Sequence, residues 1–167
     1  YSTALGQGAM RNGTTSPLYL TAIGASALNY ATGRDNVAVG VSAEEFGSGN
    51  YNVAVGNYAL YNPGSGGYSV AIGYQAQRAS TGSFNVSLGY EAGYKINDES
   101  VMVGYQAGRV ATIGESVGVG YYALRLLETG TGNTGIGYRS LGGTLVSGAN
   151  NTALGYDDGY YVGGSDN

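Results

Sequence analysis

One short pattern recurs along the whole chain and constrains its fold more than any other feature. A pentad made typically of a small or polar residue, valine or threonine, a small residue, a branched aliphatic residue and glycine occurs ten times. Its glycines are Gly6, Gly24, Gly40, Gly56, Gly73, Gly89, Gly104, Gly120, Gly137 and Gly155, and successive glycines are 15 to 18 residues apart. This self-similarity predicts a repeat architecture in which each copy forms one structural unit.

Residue types alternate inside each pentad, as in Val37-Ala38-Val39 and Val70-Ala71-Ile72. Alternation with period two, together with β-branched residues, is typical of a short β-strand. Because no pentad carries a charge, we predict that the strand is buried with its branched residues packed inward. The branched residues before the glycines include Val39, Val55, Ile72, Leu88, Val103, Val119, Ile136 and Leu154. The small residues between them would then form a face that another chain approaches closely, with Met102 as a bulky exception.

A second short segment follows each pentad glycine and has its own rule. Two variable residues are followed by alanine in eight repeats, while Ser140 and Asp158 replace the alanine in the last two. We predict a second strand here, lying across the coil from the first. The remainder of each repeat, such as residues 62–67, is rich in glycine and polar residues and indicates turns that absorb the variation in length.

The fold class predicted from these patterns is all-β, a parallel β-solenoid of about ten coils that forms a single repeat domain over residues 1–167. A lone coil buries too little apolar surface to offset the entropy lost on ordering it, so the coils must stack. At about 4.8 Å per coil, ten coils would make a rod about 48 Å long. So thin a roll leaves one sheet face uncovered, and a side-by-side homotrimer would cover it without leftover faces.

The pentads N-V-A-V-G ending at Gly40 and Gly56, and S-V-A-I-G ending at Gly73, are each followed by two residues and alanine. In this they resemble the head repeats of the YadA-like trimeric autotransporter adhesins, and the resemblance covers residues 2–159. It implies a left-handed parallel β-roll, three rolls side by side, and adhesion to extracellular matrix or cell surfaces. The repeats here are longer than in those heads and are more similar to the related repeats of phage tail fibres.

Composition restricts the classes of partner. The 7 basic and 11 acidic residues are scattered singly along the sequence, with a net charge of −4, so we expect no basic stripe and no nucleic-acid partner. Cysteine and histidine are both absent, which removes disulfides, thiolate nucleophiles and the usual zinc ligands. No apolar run reaches the roughly 18 residues that cross a bilayer, so we expect no membrane contact by this segment. The start at Tyr1 indicates an excerpt of a longer fibre protein.

Two motifs resemble catalytic or cofactor sites but fit the repeat better. Residues 114–118 match the nucleophile elbow G-x-S-x-G, yet no histidine exists to act as base, and Ser116 simply begins the eighth pentad. Residues 130–135 match G-x-G-x-x-G without a helix following to receive a phosphate. The carboxylate pairs Glu44-Glu45, Asp98-Glu99 and Asp157-Asp158 are predicted to be solvated charge rather than acid–base or calcium sites. We therefore expect no catalytic residue, metal or cofactor.

Tyrosine is unusually frequent, with 17 residues, and falls into two groups. Six tyrosines directly follow a pentad glycine in consecutive repeats: Tyr74, Tyr90, Tyr105, Tyr121, Tyr138 and Tyr156. We predict that they stack into a structural ladder, with a flat platform for sugar rings as the alternative. Five others lie in loops or near the end, where stacking explains them less well, and are the freer candidates for ligand contact: Tyr51, Tyr61, Tyr68, Tyr160 and Tyr161.

The function predicted from the sequence is a non-enzymatic structural and adhesive segment of a trimeric extracellular or virion fibre. Its partners would be further copies of itself and a cell-surface glycan or protein receptor, held by many weak contacts along the rod. A phage tail fibre or similar surface fibre is favoured, with the head of a bacterial trimeric autotransporter adhesin or a purely architectural spacer as alternatives. Ice binding would need a regular threonine ladder, whereas only Thr3, Thr21, Thr134 and Thr152 occupy the second pentad position.

Overall fold

The structure is a computed structural model that describes residues 1–13, 19–64, 66–110, 112–143, 146–160 and 164–165. Within these residues the regular structure consists of short β-strands, and none of them belongs to an α-helix. The strands are β1 (Thr3–Leu5), β2 (Thr21–Ile23), β3 (Val37–Val39), β4 (Val53–Val55), β5 (Val70–Ile72), β6 (Val86–Leu88), β7 (Val101–Val103), β8 (Val117–Val119), β9 (Leu127–Thr129), β10 (Thr134–Ile136), β11 (Val146–Ser147) and β12 (Thr152–Leu154).

Ten of these strands form one sheet in the order β1-β2-β3-β4-β5-β6-β7-β8-β10-β12. Every neighbouring pair is parallel, and equivalent pentad residues lie opposite one another, as Val53 does to Val70. The prediction of an all-β parallel solenoid is therefore confirmed, with about nine turns of chain joining the ten strands. Strands β9 and β11 pair with each other in the eighth and ninth coils, counting each coil by its pentad glycine.

The segment after each pentad glycine is a run of turns, so the prediction of a second strand is wrong. Ser26 and Leu28 have φ of +57° and +52°, in the left-handed region, and the same positions are left-handed in most other coils. The amide of Leu28 donates to the Ala43 carbonyl of the next coil, while the amide of Ala27 donates to Gly24 within its own coil. This alternation bends the chain around the interior within a few residues, which an extended strand would not do.

The prediction that the branched residues of the pentad strand point inward is wrong, because the small residues point inward and the branched residues point outward. Ala71 is fully buried, whereas its neighbour Ile72 is 42% exposed. The interior side carries Ala22, Ala38, Ala54, Ala71, Ser87, Met102 and Ala153, all buried. The branched residues Val39, Val55, Ile72, Leu88, Val103, Val119, Ile136 and Leu154 lie on the outer side, half-buried or exposed.

The narrow interior explains this inversion. The turn segment contributes a large buried side chain in several coils, among them Leu60 and Leu124. A methyl group added at Gly118 on the strand would lie only 3.2 Å from Leu124 Cδ1. With leucine occupying the space, the strand can present only small side chains inward, and the branched residues must point out.

Met102 fills the interior where the turn segment has glycine instead of leucine. Gly93 and Gly108 occupy the turn position that Leu60 holds in the fourth coil. A Cβ added at Gly108 would lie 2.5 Å from Met102 Sδ, so methionine and glycine fit as a pair. Met102, which we predicted to be a bulky exception on a face approached by another chain, is therefore a buried residue that packs in the interior.

The pentad glycines lie above one another in a column that only glycine allows. The column contains Gly40, Gly56, Gly73, Gly89, Gly104, Gly120, Gly137 and Gly155, whose φ angles lie between +131° and +146°. A Cβ at Gly40 would lie 2.5 Å from the carbonyl oxygen of Gly56 in the next coil. Conformation and close stacking of backbone thus both require glycine at this corner.

Candidate functional site

The outer side of the ten-stranded sheet is a largely apolar surface, here called the outward face. It is formed by the first and third residues of each sheet strand, which parallel pairing lines up in two columns. Ten strands at about 4.8 Å make this face roughly 43 Å long. Because contiguous apolar surfaces of such extent mark interaction sites, the outward face is the first candidate site.

The six tyrosines after the pentad glycines form the predicted ladder. Their ring centroids are 4.8 to 5.3 Å apart, and the planes of neighbouring rings differ by 5 to 20°. The prediction of structural stacking is confirmed. Since each ring covers the face of the next, the ladder presents ring edges and hydroxyls to solvent instead of a flat platform.

Two of the tyrosines predicted as ligand contacts, Tyr51 and Tyr68, are also stacked. Their ring centroids are 4.9 Å apart, and Phe84 continues the stack at 5.1 Å from Tyr68. The expectation that these residues escape stacking is therefore wrong. All three directly precede a pentad, so their shared position in the repeat was a signal that could have grouped them and included Phe84.

Tyr61 and Tyr160 lie elsewhere in the fold. The ring of Tyr61 meets Phe46 edge-on at 5.2 Å. The hydroxyl of Tyr160 accepts a hydrogen bond from Arg139 Nη2 at 2.6 Å. Tyr161 lies outside the described residues. The predicted ligand-contact tyrosines thus do not form one site.

Arginine and tyrosine side chains lie one above another along the turn side of the solenoid, in what we call the cation–aromatic column. It consists of Tyr61, Arg78, Tyr94, Arg109, Arg125, Arg139 and Tyr160. Arg78 lies between two rings, with Cζ 5.3 Å from the Tyr61 centroid and 5.8 Å from that of Tyr94. Arg139 extends over the Tyr160 ring at 4.3 Å. The coils therefore gather basic residues that are scattered in the sequence, which corrects the expectation that no basic stripe exists.

A buried polar ladder occupies the first position of the last eight pentads. It consists of Asn36, Asn52, Ser69, Asn85, Ser100, Ser116, Asn133 and Asn151, all buried. Ser116, the residue of the nucleophile-elbow motif, accepts the amide of Asn133 at 3.1 Å and donates to the carbonyl of Gly114 at 2.8 Å. Its hydroxyl is therefore engaged in holding adjacent coils together. This polar ladder was not predicted from the sequence, although Asn and Ser recur there at the first position of the pentads.

The carboxylate pairs are not uniformly solvated, because Glu44 is buried. Its Oε1 accepts a hydrogen bond from Asn52 Nδ2 at 2.9 Å, and its Oε2 has no hydrogen-bond partner. Burial raises the pKa of the Glu44 carboxyl to about 8, although the Asn52 hydrogen bond acts in the opposite direction. Its neighbour Glu45 is only partly buried. The prediction of solvated charge is thus wrong for Glu44.

The part of the chain that the structure describes contains no helix long and apolar enough to span a membrane. The same residues contain no group of three acidic side chains placed to hold a metal ion. No protein-family model, no curated protein and no solved structure matches the chain. Function is therefore argued from the outward face and the cation–aromatic column themselves.

Proposed function

We propose that this chain is a non-enzymatic segment of a trimeric extracellular or virion fibre that mediates attachment to a host or cell surface. The observation that carries the proposal is the outward face, where every coil presents branched side chains to solvent. A partly exposed sheet face made of valine, isoleucine and leucine, with threonine at four positions near its ends, favours association with other copies of the same chain.

The outward columns supply only part of the area that such an assembly buries. The two outward columns alone cover roughly 400 Å², from a length of about 43 Å and a width of about 10 Å. The tyrosine ladder and the Tyr51 stack flank the strands on either side and extend the apolar area. Stable interfaces bury about 800 Å² per partner, and in a threefold arrangement each chain meets two neighbours.

The finer features of the proposal come from the resemblance to YadA-like heads and phage tail fibres. These are the left-handed course of the roll, the threefold symmetry and the extracellular or virion location. A phage tail fibre or similar surface fibre is preferred over a bacterial autotransporter head because the coils are long. The receptor would be a cell-surface glycan or protein, bound by weak contacts that repeat along the rod.

A purely architectural spacer is the second candidate. It is favoured by the stacking of the exposed tyrosines, because ring faces that cover one another are not available to a ligand. A spacer needs the trimer and the rod but no receptor contact.

Light scattering of the purified chain, followed by a glycan-array screen of the same sample, separates these alternatives. A mass three times that of the 17.0 kDa chain supports the fibre. Binding to defined glycans then supports attachment, whereas a trimer without binding supports the spacer. A stable monomer at micromolar concentration would contradict the proposal.

A further inference from the structure

The cation–aromatic column carries a charge opposite to that of the whole chain. The chain has a net charge of −4, yet Arg78, Arg109, Arg125 and Arg139 lie on one side of the solenoid, in four of five successive coils. Within the described part of the chain, two carboxylates pair with them: Glu91 with Arg109 at 2.5 Å and Asp157 with Arg139 at 3.4 Å. Among the described residues, Arg78 and Arg125 have no acidic partner. The column is thus a local excess of positive charge on an acidic protein.

The register of the coils fixes the spacing of these cations. The amide of Ala79 donates to the Tyr94 carbonyl, and the amide of Val110 donates to the Arg125 carbonyl, both at 2.9 Å. Neighbouring members of the column are therefore one coil apart, about 4.8 Å along the rod. A ligand running parallel to the solenoid axis would meet successive guanidinium groups one or two coils apart.

Hydrogen bonds hold the guanidinium groups in place before any ligand arrives. Arg78 Nη1 donates to the Tyr94 hydroxyl at 2.6 Å, and Arg125 Nε donates to Gln106 Oε1 at 3.0 Å. Arg125 also covers the Tyr122 ring at 4.3 Å. Groups that are already ordered lose little conformational entropy on binding, and the outer Nη atoms of Arg125 remain for a bidentate acceptor.

We propose that the cation–aromatic column binds an acidic glycan, a linear polysaccharide bearing carboxylate or sulfate groups, laid along the rod. This inference rests on the proposed attachment function and names the chemistry of its ligand. The turn segment lies across the coil from the pentad strand, as the bond from Gln77 Nε2 to the Val70 carbonyl at 3.0 Å indicates. The column therefore stays accessible when the outward face is covered by other copies.

Nucleic acid fits the column less well, although it is also a regular polyanion. Single-stranded nucleic acid gains much of its affinity from bases stacked on free aromatic faces, but guanidinium groups flank Tyr94. Bidentate contacts from arginine edges to carboxylate or sulfate groups need no free ring face.

The test measures binding of fluorescently labelled polygalacturonate and heparin oligosaccharides to the full chain by anisotropy. Neutral dextran and single-stranded DNA serve as competing ligand classes. The variants are Arg78→Gln, Arg125→Gln and the matched control Arg34→Gln. The control also removes one charge and one ring contact, because Arg34 lies 5.6 Å from the Tyr51 ring. We expect Arg125→Gln and Arg78→Gln each to weaken acidic-glycan binding about fivefold, with less than a twofold effect from Arg34→Gln.

The outcomes are distinguishable. Preference for polygalacturonate or for heparin identifies the carboxylate or the sulfate source, and loss of binding with rising salt is expected in either case. Equal losses from Arg34→Gln and Arg125→Gln, tighter binding of DNA, or no preference over dextran would each overturn the inference. If circular dichroism shows that a glutamine variant does not fold, the salt dependence of acidic-glycan binding by the unmodified chain is the deciding measurement. Light scattering on the same samples tests the trimer separately, so a trimer without glycan binding removes only this inference.

Discussion

The side-chain oxygen of Asn52 accepts the backbone amide of Ser69, one coil further along the rod, at 3.0 Å. The amide of Asn52 in turn donates to Asn36 Oδ1 at 2.8 Å. Asn52 Nδ2 donates to Glu44 Oε1 and to the carbonyl of Gly66. One buried carboxamide therefore links three consecutive coils through groups that would otherwise be unsatisfied.

Replacing Asn52 by alanine should destabilise the chain by about 2–4 kcal/mol, because the Ser69 amide and the Glu44 carboxyl lose a buried partner. Asn52→Ser should cost less, since serine holds the same ladder position at Ser69 and Ser100. Urea unfolding of both variants measures the difference. Equal losses in the free energy of unfolding for the two variants would show that the hydrogen bonds of the buried polar ladder contribute little.

Glu44→Gln should remove a pH dependence of stability. With a pKa of about 8 in the folded chain and 4.5 as its ordinary value, Glu44 keeps its proton on folding but loses it on unfolding between these two pH values. Its contribution to stability is therefore complete below pH 4.5 and is lost as the pH rises to about 8. At about 1.4 kcal/mol per pKa unit, the full loss is roughly 4–5 kcal/mol.

Thermal unfolding from pH 5 to pH 9 measures this effect. The Glu44→Gln variant should keep a nearly constant midpoint where the parent declines. Glu45→Gln is the matched control, because it removes the adjacent carboxylate from a partly buried side chain and should leave the decline in place. A parent whose stability rises between pH 5 and pH 8 would contradict the assignment.

Charge on the outward face should separate assembly from folding. Val55 and Ile72 are partners in adjacent strands, and both point outward. The double variant Val55→Lys and Ile72→Lys should retain β-sheet circular dichroism while lowering the mass in light scattering to that of one chain. Ala71→Val, one residue away but inside, should instead destabilise the coil by about 1–3 kcal/mol through overpacking. A double lysine variant that remains trimeric would place the contact elsewhere.

Met102→Ala should leave a cavity, because Gly108 and Gly118 on either side provide no side chain to fill it. We expect a loss of about 2–5 kcal/mol in the free energy of unfolding. Met102→Leu conserves volume and should cost less than about 1.5 kcal/mol. Chemical denaturation of the two variants makes the comparison, and a small effect of the alanine variant would indicate that neighbouring coils close the space.

The solenoid and its parallel register were predictable because the pentads repeat without interruption, and stacked coils bring equal positions together. Which face of the strand points inward was not predictable, because the alternation in Val53-Ala54-Val55 identifies two faces without identifying the inner one. That choice depends on the space left by Leu60, which lies in a different segment of the coil. The side chains of the strand and of the turn segment together fill the interior of a coil. The strand sequence alone therefore does not show how much space is left for its own side chains.

The candidate site was predicted unevenly for a similar reason. The tyrosine ladder has one residue type at one position, so its stacking follows from the repeat alone. The cation–aromatic column mixes Arg78, Tyr94 and Arg109 at one position, and its last cation, Arg139, comes from another position where the column has Gly142. Such a column becomes visible only when side chains of different coils are seen next to each other.

Most coils present a side-chain acceptor oxygen of asparagine or serine, a stacked glycine and a small inner residue to the coil that follows. Junctions between most pairs of coils are therefore similar, with the coil of Met102 as the exception. Genetic duplication or loss of a whole coil would leave a competent junction behind, so the length of the rod can evolve in steps of a single coil. The length of the solenoid is in this sense a heritable quantity that can change without altering its cross-section.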